Sequence, residues 1–370
     1  MDKIKEIDIP KDARVLVISD IHGEIGLFKE LLKKVNFNSE DYLIINGDIC
    51  EKGRNSKETV KYIMELAQLN PRVQVIEGNC EALVGELLAE NPLLIKYLMT
   101  RRYCLFNEWL ADAGFPLKEQ SGIREVKEIL IEHFSQEIEW LSSLPTAIEA
   151  DQYIFVHAGL EDLADWRETD RDKAISIPSF LEKSHQADKF AVVGHWPVVN
   201  YSKDIPSDNP IIDQEKKIIS IDGGNRVKDK GQLNALIIQR TAEEDLFSYT
   251  YVDDSPGCRV VKDSSETFDM KGAILYPDYD IIPLEEDEHF TLCRQPGKDK
   301  LLYVKNEYIL QKENGACSVK SDVSCSLMNV STGDAVSVLD DSCSGYALIK
   351  KDGEIGWVTK KVLPAVVLAN

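Results

Sequence analysis

The sequence has no apolar run that approaches the roughly 20 residues needed to span a membrane, although it is 370 residues long. Its first residues, MDKIKEIDIPKD, also lack the apolar stretch of a secretory signal. We therefore expect a cytoplasmic protein with no membrane partner. The length favours two or three domains rather than one.

Basic residues are few relative to acidic ones, with 43 Lys and Arg against 64 Asp and Glu and a formal net charge of −21. Binding to nucleic acid through its phosphates requires a basic face. We therefore expect no nucleic-acid partner. A local basic pocket within an acidic surface is still compatible with this composition.

Closely spaced cysteine pairs are absent, since none of the eight cysteines forms a Cys-x-x-Cys motif. This argues against a structural zinc site of that kind. In a chain without a secretory signal, we expect the cysteines to be reduced thiols.

What the sequence does contain is a series of buried strands that end in polar residues. In RVLVISDIHG, residues 14–23, an apolar run is followed by Asp20 and His22. Later apolar runs end in the same way, at Asp48, Asn79, His157 and His195. Helix-like stretches follow the runs that end at Asp20, Asp48 and Asn79, which is typical of an open α/β sheet. In such sheets, ligands bind at the carboxyl ends of the strands.

Local patterns predict the elements between these strand ends. Ser56 is expected to cap a helix that runs to about Gln68, and residues 82–145 are expected to be mostly helical. The segments LNALIIQR and LFSYTYVD predict an antiparallel hairpin that extends a sheet.

The six strand-end residues together predict a centre with two divalent metal ions. A single histidine at the end of a strand more often has a structural role. Six residues of metal-binding types, each at the end of a strand, together favour metal ligands. Two cations about 4 Å apart need a bridging carboxylate, and a water between them is deprotonated near neutral pH and can attack phosphorus in line. Asp48 is the expected bridge, Asp20 and His22 serve one metal, and Asp20 could reach both. The second metal is assigned Asn79, His157 and His195.

Six segments follow one another along the chain: SDIHGE, NGDICEKG, EGNCEAL, FVHAGLED, VGHWPV and IDGGN. In these segments and in their order, the chain resembles the calcineurin-like metallophosphoesterases, and within them the phosphoprotein phosphatase group, which includes serine/threonine phosphatases and bacterial diadenosine tetraphosphatases. The resemblance covers roughly residues 12–253. It implies an α/β fold, a β-sandwich flanked by helices, with two metals (Mn, Fe, Zn or Mg) at the sheet edge.

Two departures from the family pattern affect the expected catalytic pair. The family usually has Gly-Asn-His-Glu, whose histidine is thought to protonate the leaving group, but here that residue is Cys80. The aspartate that orients the histidine is Glu51 here, and the neighbouring arginine is Lys52. A thiol is a poor general acid compared with an imidazolium. A branch of bacterial metallophosphodiesterases resembles this chain in having Gly-Asn-Cys.

Four basic residues are candidates for binding the substrate phosphate. Lys52 lies in the motif loop and would act as a point charge rather than a bidentate fork. Arg167 follows Trp166, near where relatives carry an arginine. Arg54 and Arg226 are chosen only because they lie close to motif loops.

We expect a two-metal phosphoesterase that acts on a phosphorylated protein or a small phosphoester, in the manner of a serine/threonine phosphatase. The alternatives are a phosphodiesterase or dinucleoside polyphosphate hydrolase, or a weakly active phosphate-binding scaffold. Without a general acid, good leaving groups should suffer least and phosphoserine should react slowly.

The C-terminal hundred residues change to short strand-like segments with frequent turns. Residues 312–370 resemble a bacterial SH3-like barrel, with Asp352-Gly353 as a hairpin turn, and residues 265–311 resemble a degenerate copy. We therefore expect a phosphoesterase domain at 1–255 followed by one or two small all-β barrels. A protein or peptide is the expected ligand of these barrels.

Overall fold

The computed structural model describes residues 1, 3–298 and 300–365, and the chain divides into two units. The first unit consists of Met1–Pro197 and Pro210–Asp253. The second consists of Val198–Asn209 and the chain from Asp254 onward.

The first unit contains strands β1 to β11 and helices α1 to α7. Its strands are β1 Ile4–Glu6, β2 Arg14–Ile18, β3 Tyr42–Ile45, β4 Val73–Val75, β5 Ala147–Ala150, β6 Tyr153–Val156, β7 Phe190–Val193, β8 Ile211–Asp213, β9 Ile218–Ser220, β10 Leu233–Gln239 and β11 Leu246–Val252. Its helices are α1 Ile25–Lys34, α2 Ser56–Leu69, α3 Leu83–Leu88, α4 Leu93–Thr100, α5 Leu105–Asp112, α6 Ile123–Ser143 and α7 Arg171–Ser176.

These strands form two sheets with parallel centres. One sheet has the order β11-β10-β2-β3-β4, in which β2, β3 and β4 are parallel. The other has the order β1-β5-β6-β7-β9-β8, in which β6, β7 and β9 are parallel. The predicted hairpin is confirmed, because β10 pairs antiparallel with both β11 and β2.

Alternating side chains on β2 explain why the sheets are layered. Val15 and Val17 pack into a core cluster shared with Phe155 and Val192 of the other sheet. The side chains in between, Leu16 and Ile18, pack into a second cluster with helical residues. Since strand side chains point alternately to opposite faces, one short strand contributes to both cores. The result is a mixed α/β arrangement consistent with a metallophosphoesterase fold.

Asn46, directly after β3, connects the two sheets. Its side-chain amide donates to the carbonyl oxygens of Val156 at 3.0 Å and Val192 at 3.2 Å. The side chain is fully buried, so these bonds satisfy carbonyl groups that water cannot reach. The carboxyl ends of β3, β6 and β7 are thereby held at one edge.

The prediction that Ser56 caps α2 is wrong. Asn55 is the residue before the helix, and Ser56 is its first helical residue. The Ser56 hydroxyl instead accepts a hydrogen bond of 3.0 Å from the Glu51 backbone N–H. The side chain therefore serves the loop after β3 rather than the end of the helix.

The second unit is built from short strands. They are β12 Gly257–Arg259, β13 Ala273–Ile274, β14 Asp280–Glu286, β15 Phe290–Gln295, β16 Lys300–Lys305, β17 Ile309–Gln311, β18 Cys317–Val319, β19 Val323–Ser324, β20 Ala335–Asp340, β21 Tyr346–Lys351 and β22 Glu354–Thr359. One sheet has the order β16-β15-β14-β18-β17, another β12-β20-β21-β22, and β13 pairs with β19. Asp352 and Gly353 have φ values of 51° and 79° between β21 and β22, which confirms the predicted hairpin turn.

Three features of the second unit bear on the predicted domain limits. Strand β18 lies beyond residue 311 but pairs with β14 and β17. One core cluster contains residues from both predicted barrels, for example Phe290 and Trp357. Residues 198–209, which the sequence prediction places in the first domain, belong to this unit, and Asp208 pairs with the buried Lys350 at 3.0 Å. Whether the unit is SH3-like stays a prediction.

All eight cysteines are free thiols in the structure. Among the described residues, no helix has the length and apolar character that a lipid bilayer would require.

Truncation of Phe155 tests the sandwich core. Phe155 is fully buried between the two sheets, so Phe155→Ala should lower the free energy of unfolding by about 3–5 kcal/mol. Urea unfolding followed by the helical circular dichroism signal measures this, because every described α-helix belongs to the first unit. The control Leu69→Ala removes a side chain that is 84% exposed and should change stability by less than about 0.5 kcal/mol. Equal losses in the two variants would contradict this assignment of the core.

Candidate metal centre

The carboxyl ends of five strands bring the six predicted ligands to one edge of the two sheets. Asp20 and His22 follow β2, Asp48 follows β3, and Asn79 follows β4. His157 directly follows β6, and His195 follows β7. All except Asn79 and His195 are buried.

Asp48 occupies the middle of this group. Its Oδ1 lies 3.4 Å from His157 Nε2 and accepts a 2.9 Å hydrogen bond from the Cys80 backbone N–H. Its Oδ2 lies 3.9 Å from His22 Nε2. Donor atoms of Asp20, Asp48 and His157 all lie within 4.8 Å of one another, and so do those of His22, Asp48 and Cys80. A carboxylate that belongs to both sets has the position a bridging ligand needs.

Two histidine rings are oriented by backbone carbonyls. His157 Nδ1 lies 2.9 Å from the Asn46 carbonyl oxygen, and His22 Nδ1 lies 3.2 Å from that of Cys50. These contacts leave the Nε2 atoms facing Asp48. Metal-binding histidines commonly use the second ring nitrogen in this way.

Asp20 and His195 connect the two sheets at the centre. Asp20 Oδ2 accepts hydrogen bonds from the Ser19 hydroxyl and, at 3.0 Å, from the His195 backbone N–H. Its Oδ1 lies 3.6 Å from His22 Nε2. The His195 ring meets the His157 ring edge to face, with centroids 5.2 Å apart.

Three buried side-chain atoms of this group that could bind a metal have no hydrogen-bond partner among the residues that the structure describes. They are Asp48 Oδ2, Asn79 Oδ1 and His157 Nε2. Buried polar atoms are normally paired, and carboxylate, amide and imidazole donors suit a divalent cation. The residues present therefore fit a metal centre.

The electrostatics of the centre agree with that fit. Burial lowers the pKa of His22 to about 3 and that of His195 to about 4. Both rings are therefore neutral at pH 7 and keep a lone pair for a metal. Burial would raise the pKa of Asp48, but His157, His22 and Lys52 outweigh it, so the pKa is lowered and the carboxylate is ionised.

Left-handed backbone conformations accompany these side chains. The φ values of Asp20, His22, Asp48 and His195 are 57°, 50°, 53° and 65°. Such conformations cost of order 1–3 kcal/mol each in non-glycine residues and concentrate at functional sites. The surrounding hydrogen bonds hold the chain in these turns.

Glu81 has a positioning role that the sequence analysis did not identify. Its Oε2 accepts from the backbone N–H groups of Asp48 and Gly78, both at 2.8 Å, and its Oε1 accepts from Ile49 at 2.9 Å. One buried carboxylate thus ties the loop after β3 to the loop after β4. Its place in the Gly-Asn-Cys-Glu segment was the available signal, but only the fold shows what it binds.

Asn225 and Asp222, from the segment IDGGN, are two further residues without a predicted role. The Asn225 amide donates to the carbonyl oxygens of Ile21 at 2.9 Å and Asp20 at 3.3 Å. Asp222 is fully buried, and burial together with Asp20 raises the pKa of its carboxyl group well above the usual value. Both residues therefore lie next to the loop after β2, which carries Asp20 and His22.

The predicted pair Cys80 and Glu51 lies beside the centre, but no hydrogen bond joins the two side chains in the described part of the chain. Glu51 accepts from the Tyr97 hydroxyl at 3.1 Å and the Leu105 backbone N–H at 2.9 Å. Cys80 is buried, and burial and Asp48 raise the pKa of its thiol well above the usual value. Glu51 therefore binds the end of α4 and the start of α5 and makes no hydrogen bond that would orient Cys80.

The four predicted phosphate-binding residues separate into different environments. Lys52 Nζ lies 3.1 Å from His22 Nε2 and 3.9 Å from Asp48 Oδ2, so it belongs to the centre. Arg226 Nε pairs with Glu24 at 2.8 Å, and Glu24 lies at the end of the loop after β2. The guanidinium carbon of Arg54 lies over the Tyr103 ring, 5.6 Å from the ring centroid.

Arg167 makes its described contacts on another strand, and its role in substrate binding stays a prediction. Its guanidinium group pairs with Glu149 of β5. The guanidinium carbon also lies over the Trp166 ring, 4.9 Å from the ring centroid. None of its described contacts is with the predicted ligands. The guanidinium thus neutralises a carboxylate of the sheet.

The comparison with known families agrees with this geometry. The calcineurin-like phosphoesterase family model matches residues 13–221, more than half of the chain. The chain therefore belongs to the calcineurin-like phosphoesterase family.

Two related proteins each match part of the chain. The symmetrical bis(5'-nucleosyl)-tetraphosphatase of Buchnera aphidicola subsp. Acyrthosiphon pisum (strain Tuc7) is 49% identical over 63 residues, 17% of this chain and 22% of that protein. The enzyme of the same name from Vibrio parahaemolyticus serotype O3:K6 (strain RIMD 2210633) is 25% identical over 168 residues, 45% of this chain and 52% of that protein. The chain thus spans from a fifth to about half of the length of these relatives.

Among solved structures, a crystal structure of a candidate diadenosine tetraphosphatase aligns with a TM-score of 0.44 and 16% identity. The alignment covers 68% of this chain and 99% of that one.

Gly78→Ala tests the packing between the two motif loops. A Cβ at Gly78 would lie 2.3 Å from Asp48 Oδ1 and 2.5 Å from its backbone nitrogen, so Asp48 must move. We expect Mn²⁺ affinity, measured by isothermal titration calorimetry, to fall by about 10–100-fold, the effect typical of disturbing groups that orient a ligand. The control Gly85→Ala meets no atom within 4 Å and should bind Mn²⁺ as the original chain does. Unchanged affinity in Gly78→Ala would show that this contact does not position Asp48.

Proposed function

We propose that the chain is a phosphoesterase that uses two divalent metal ions to hydrolyse phosphate esters. The observation that carries this proposal is the pair of donor sets that share Asp48, together with the unpartnered buried atoms Asp48 Oδ2, Asn79 Oδ1 and His157 Nε2. Family membership supports the same class of reaction.

The proposed ligands are those that the strand ends bring together. Asp20 and His22 would hold one ion, Asn79, His157 and His195 the other, and Asp48 would bridge them. When bound, the ions would supply Lewis acidity and lower the pKa of water between them. Manganese, iron, zinc and magnesium all accept this mixture of oxygen and nitrogen donors.

Lys52 is the proposed phosphate-binding residue at the centre. Burial lowers the pKa of its ammonium group, but nearby charged groups, the Asp48 carboxylate among them, outweigh burial, so the pKa is raised and the group is charged at pH 7. Its Nζ lies 3.1 Å from His22 Nε2, within reach of a phosphate held between His22 and Asp48. A positive charge here would offset the negative charge that develops on the phosphate oxygens.

Cys80 decides which leaving groups are favoured. Its raised thiol pKa makes Cys80 a weak acid, and Glu51 binds Tyr97 and Leu105 instead of orienting it. Leaving groups that depart without a proton, such as aryl oxides and phosphates, should then react faster than the alkoxide of phosphoserine. This favours the phosphodiesterase or polyphosphate hydrolase alternative over a serine/threonine phosphatase.

A phosphate-binding scaffold is the second candidate from another class. A scaffold has no need of the full set of oxygen and nitrogen donors around Asp48, which argues against it. Metal analysis together with an aryl phosphate assay separates the two functions, because two bound ions without hydrolysis would favour the scaffold.

Removal of the bridging carboxylate tests the proposed centre. Asp48→Asn should reduce bound metal, measured by inductively coupled plasma mass spectrometry, and lower kcat for an aryl phosphate with Mn²⁺ by at least about 10²-fold. Asp112→Asn is the matched control, since Asp112 is exposed and pairs with Lys57. An Asp48→Asn variant that kept both its metal and its activity would rule out Asp48 as the bridge.

Replacement of Cys80 tests the missing general acid. We expect the original chain to hydrolyse an aryl phosphate and an aryl diester faster than a phosphoserine peptide, and Cys80→Ala to preserve that order. Cys80→His should raise kcat for the phosphoserine peptide by roughly 10²-fold, the lower end of general acid catalysis, with little gain for the aryl esters. Phosphoserine turnover as fast as that of the aryl monoester in the original chain would refute the hypothesis.

A further inference from the structure

The first of the two proposed metal positions has one protein ligand fewer than the second. Asp20, His22 and the bridging Asp48 are assigned to the first position, whereas three residues besides Asp48 are assigned to the second. Zinc and similar divalent cations usually take four ligands in proteins. The chemical type of a fourth donor at the first position therefore decides which cation that position prefers.

The Cys80 sulfur lies close enough to be that fourth donor. Donor atoms of His22, Asp48 and Cys80 all lie within 4.8 Å of one another, and all three residues are buried. His22 Nε2 also lies 3.6 Å from Asp20 Oδ1 and 3.9 Å from Asp48 Oδ2. At usual bond lengths, two donors on one tetrahedral ion lie roughly 3.3–3.8 Å apart, so these atoms need to close by only roughly 1 Å.

The side-chain hydrogen bonds around Cys80 make its sulfur an acceptor. The Asn79 side-chain amide donates to Cys80 Sγ at 3.8 Å, and an amide NH₂ group can only donate. In the part of the chain that the structure describes, the Cys80 thiol has no acceptor for its own proton. The nearby buried thiol of Cys50, by contrast, donates to Glu81 Oε1 at 3.3 Å. The surroundings of Cys80 thus suit a thiolate, and those of Cys50 suit a thiol.

The backbone holds Cys80 against the bridging carboxylate. The Cys80 N–H donates to Asp48 Oδ1 at 2.9 Å. The other oxygen, Asp48 Oδ2, is buried and has no hydrogen-bond partner among the described residues. Because buried polar atoms are normally paired, this oxygen is available to a cation that also contacts the Cys80 sulfur.

Lys52 shows that a positive charge fits among these donors. Its Nζ lies 3.1 Å from His22 Nε2 and 3.9 Å from Asp48 Oδ2. The Lys52 side chain is 39% exposed and lines a cavity of about 420 Å³ together with Asn79 and Cys80. Since the lysine stem is flexible, the ammonium group can move into this cavity when a metal ion binds. From there it can still contact a phosphate.

We propose that the Cys80 thiolate is the fourth ligand of the first metal position, which therefore selects Zn²⁺ over Mn²⁺. Thiolate ligands favour zinc, whereas manganese and magnesium favour oxygen ligands. On binding, the Cys80 S–H bond breaks, its proton passes to solvent, and a sulfur electron pair forms the bond to the ion. The second position has only oxygen and nitrogen donors. This inference rests on the metal centre of the proposed function.

Coordination of the sulfur agrees with the expected choice of leaving group. A thiolate bound to a cation has no proton to give to a departing alkoxide, so general acid catalysis from Cys80 is absent. The residue that stands where the family usually has a histidine then acts as a metal ligand in this chain.

Cobalt absorption tests the sulfur ligand in the full-length chain. Loading with Co²⁺ should produce a thiolate-to-cobalt charge-transfer band in the near ultraviolet, and Cys80→Ser should abolish it. Cys104→Ser is the matched control, because Cys104 is equally buried and lies outside the donor set; this variant should keep the band. X-ray absorption of the zinc-loaded original chain does not depend on any variant and should show sulfur at about 2.3 Å from zinc.

Calorimetric titration tests the selectivity for zinc. Cys80→Ser should lower the affinity of the first position for Zn²⁺ by at least about 10²-fold, because losing a group that merely orients a ligand already costs 10–100-fold. The affinity for Mn²⁺ should fall much less. Equal losses for the two ions would overturn the proposal.

Metal content and hydrolysis separate failure of this inference from failure of the proposed function. A chain that binds two Co²⁺ ions and hydrolyses an aryl phosphate without a thiolate band would overturn the assignment of Cys80 alone. So would a band that persists in Cys80→Ser. A band that depends on Cys80, without hydrolysis of any phosphoester, would support the ligand and refute the proposed function. Absence of bound cobalt would refute both.

Discussion

The Glu81 carboxylate is the contact on which the arrangement of the centre depends. It accepts backbone hydrogen bonds from Asp48, Ile49 and Gly78, so two loops from neighbouring strands share one buried carboxyl group. Burial raises the pKa of Glu81 to about 7, a sign that the site is poorly solvated. In such surroundings each backbone hydrogen bond is stronger, and losing one is costlier, than at the surface. The left-handed turn at Asp48 is held by these bonds.

Asn46 performs a comparable function between the sheets. Its two hydrogen bonds reach Val156 and Val192, the last residue of β6 and a residue near the end of β7. The Asn46 carbonyl oxygen also lies 2.9 Å from His157 Nδ1. One residue therefore sets both the distance between the sheets and the orientation of a proposed ligand, which links the stability of the sandwich to the geometry of its edge.

The departures from the usual family motifs form a consistent set. Cys80 replaces the usual histidine, and Glu51, which replaces the usual aspartate, holds Tyr97 and Leu105. The change at the proton donor is therefore accompanied by a carboxylate that binds the segment between α4 and α5. Under the proposed function, both departures would suit a leaving group that departs as an anion without being protonated.

The sequence by itself determined the elements that depend on local pattern. The alternation in β2, the hairpin of β10 and β11 and the turn at Asp352-Gly353 all follow from short-range rules of strand and turn formation. The strand-end residues also indicated a common edge, because parallel strands end together.

Only the tertiary structure decided which distant groups meet. It paired Arg167 with Glu149, connected the loops through Glu81 and joined residues 198–209 to the second unit. Such contacts depend on how sheets and helices pack, and no local periodicity encodes that packing.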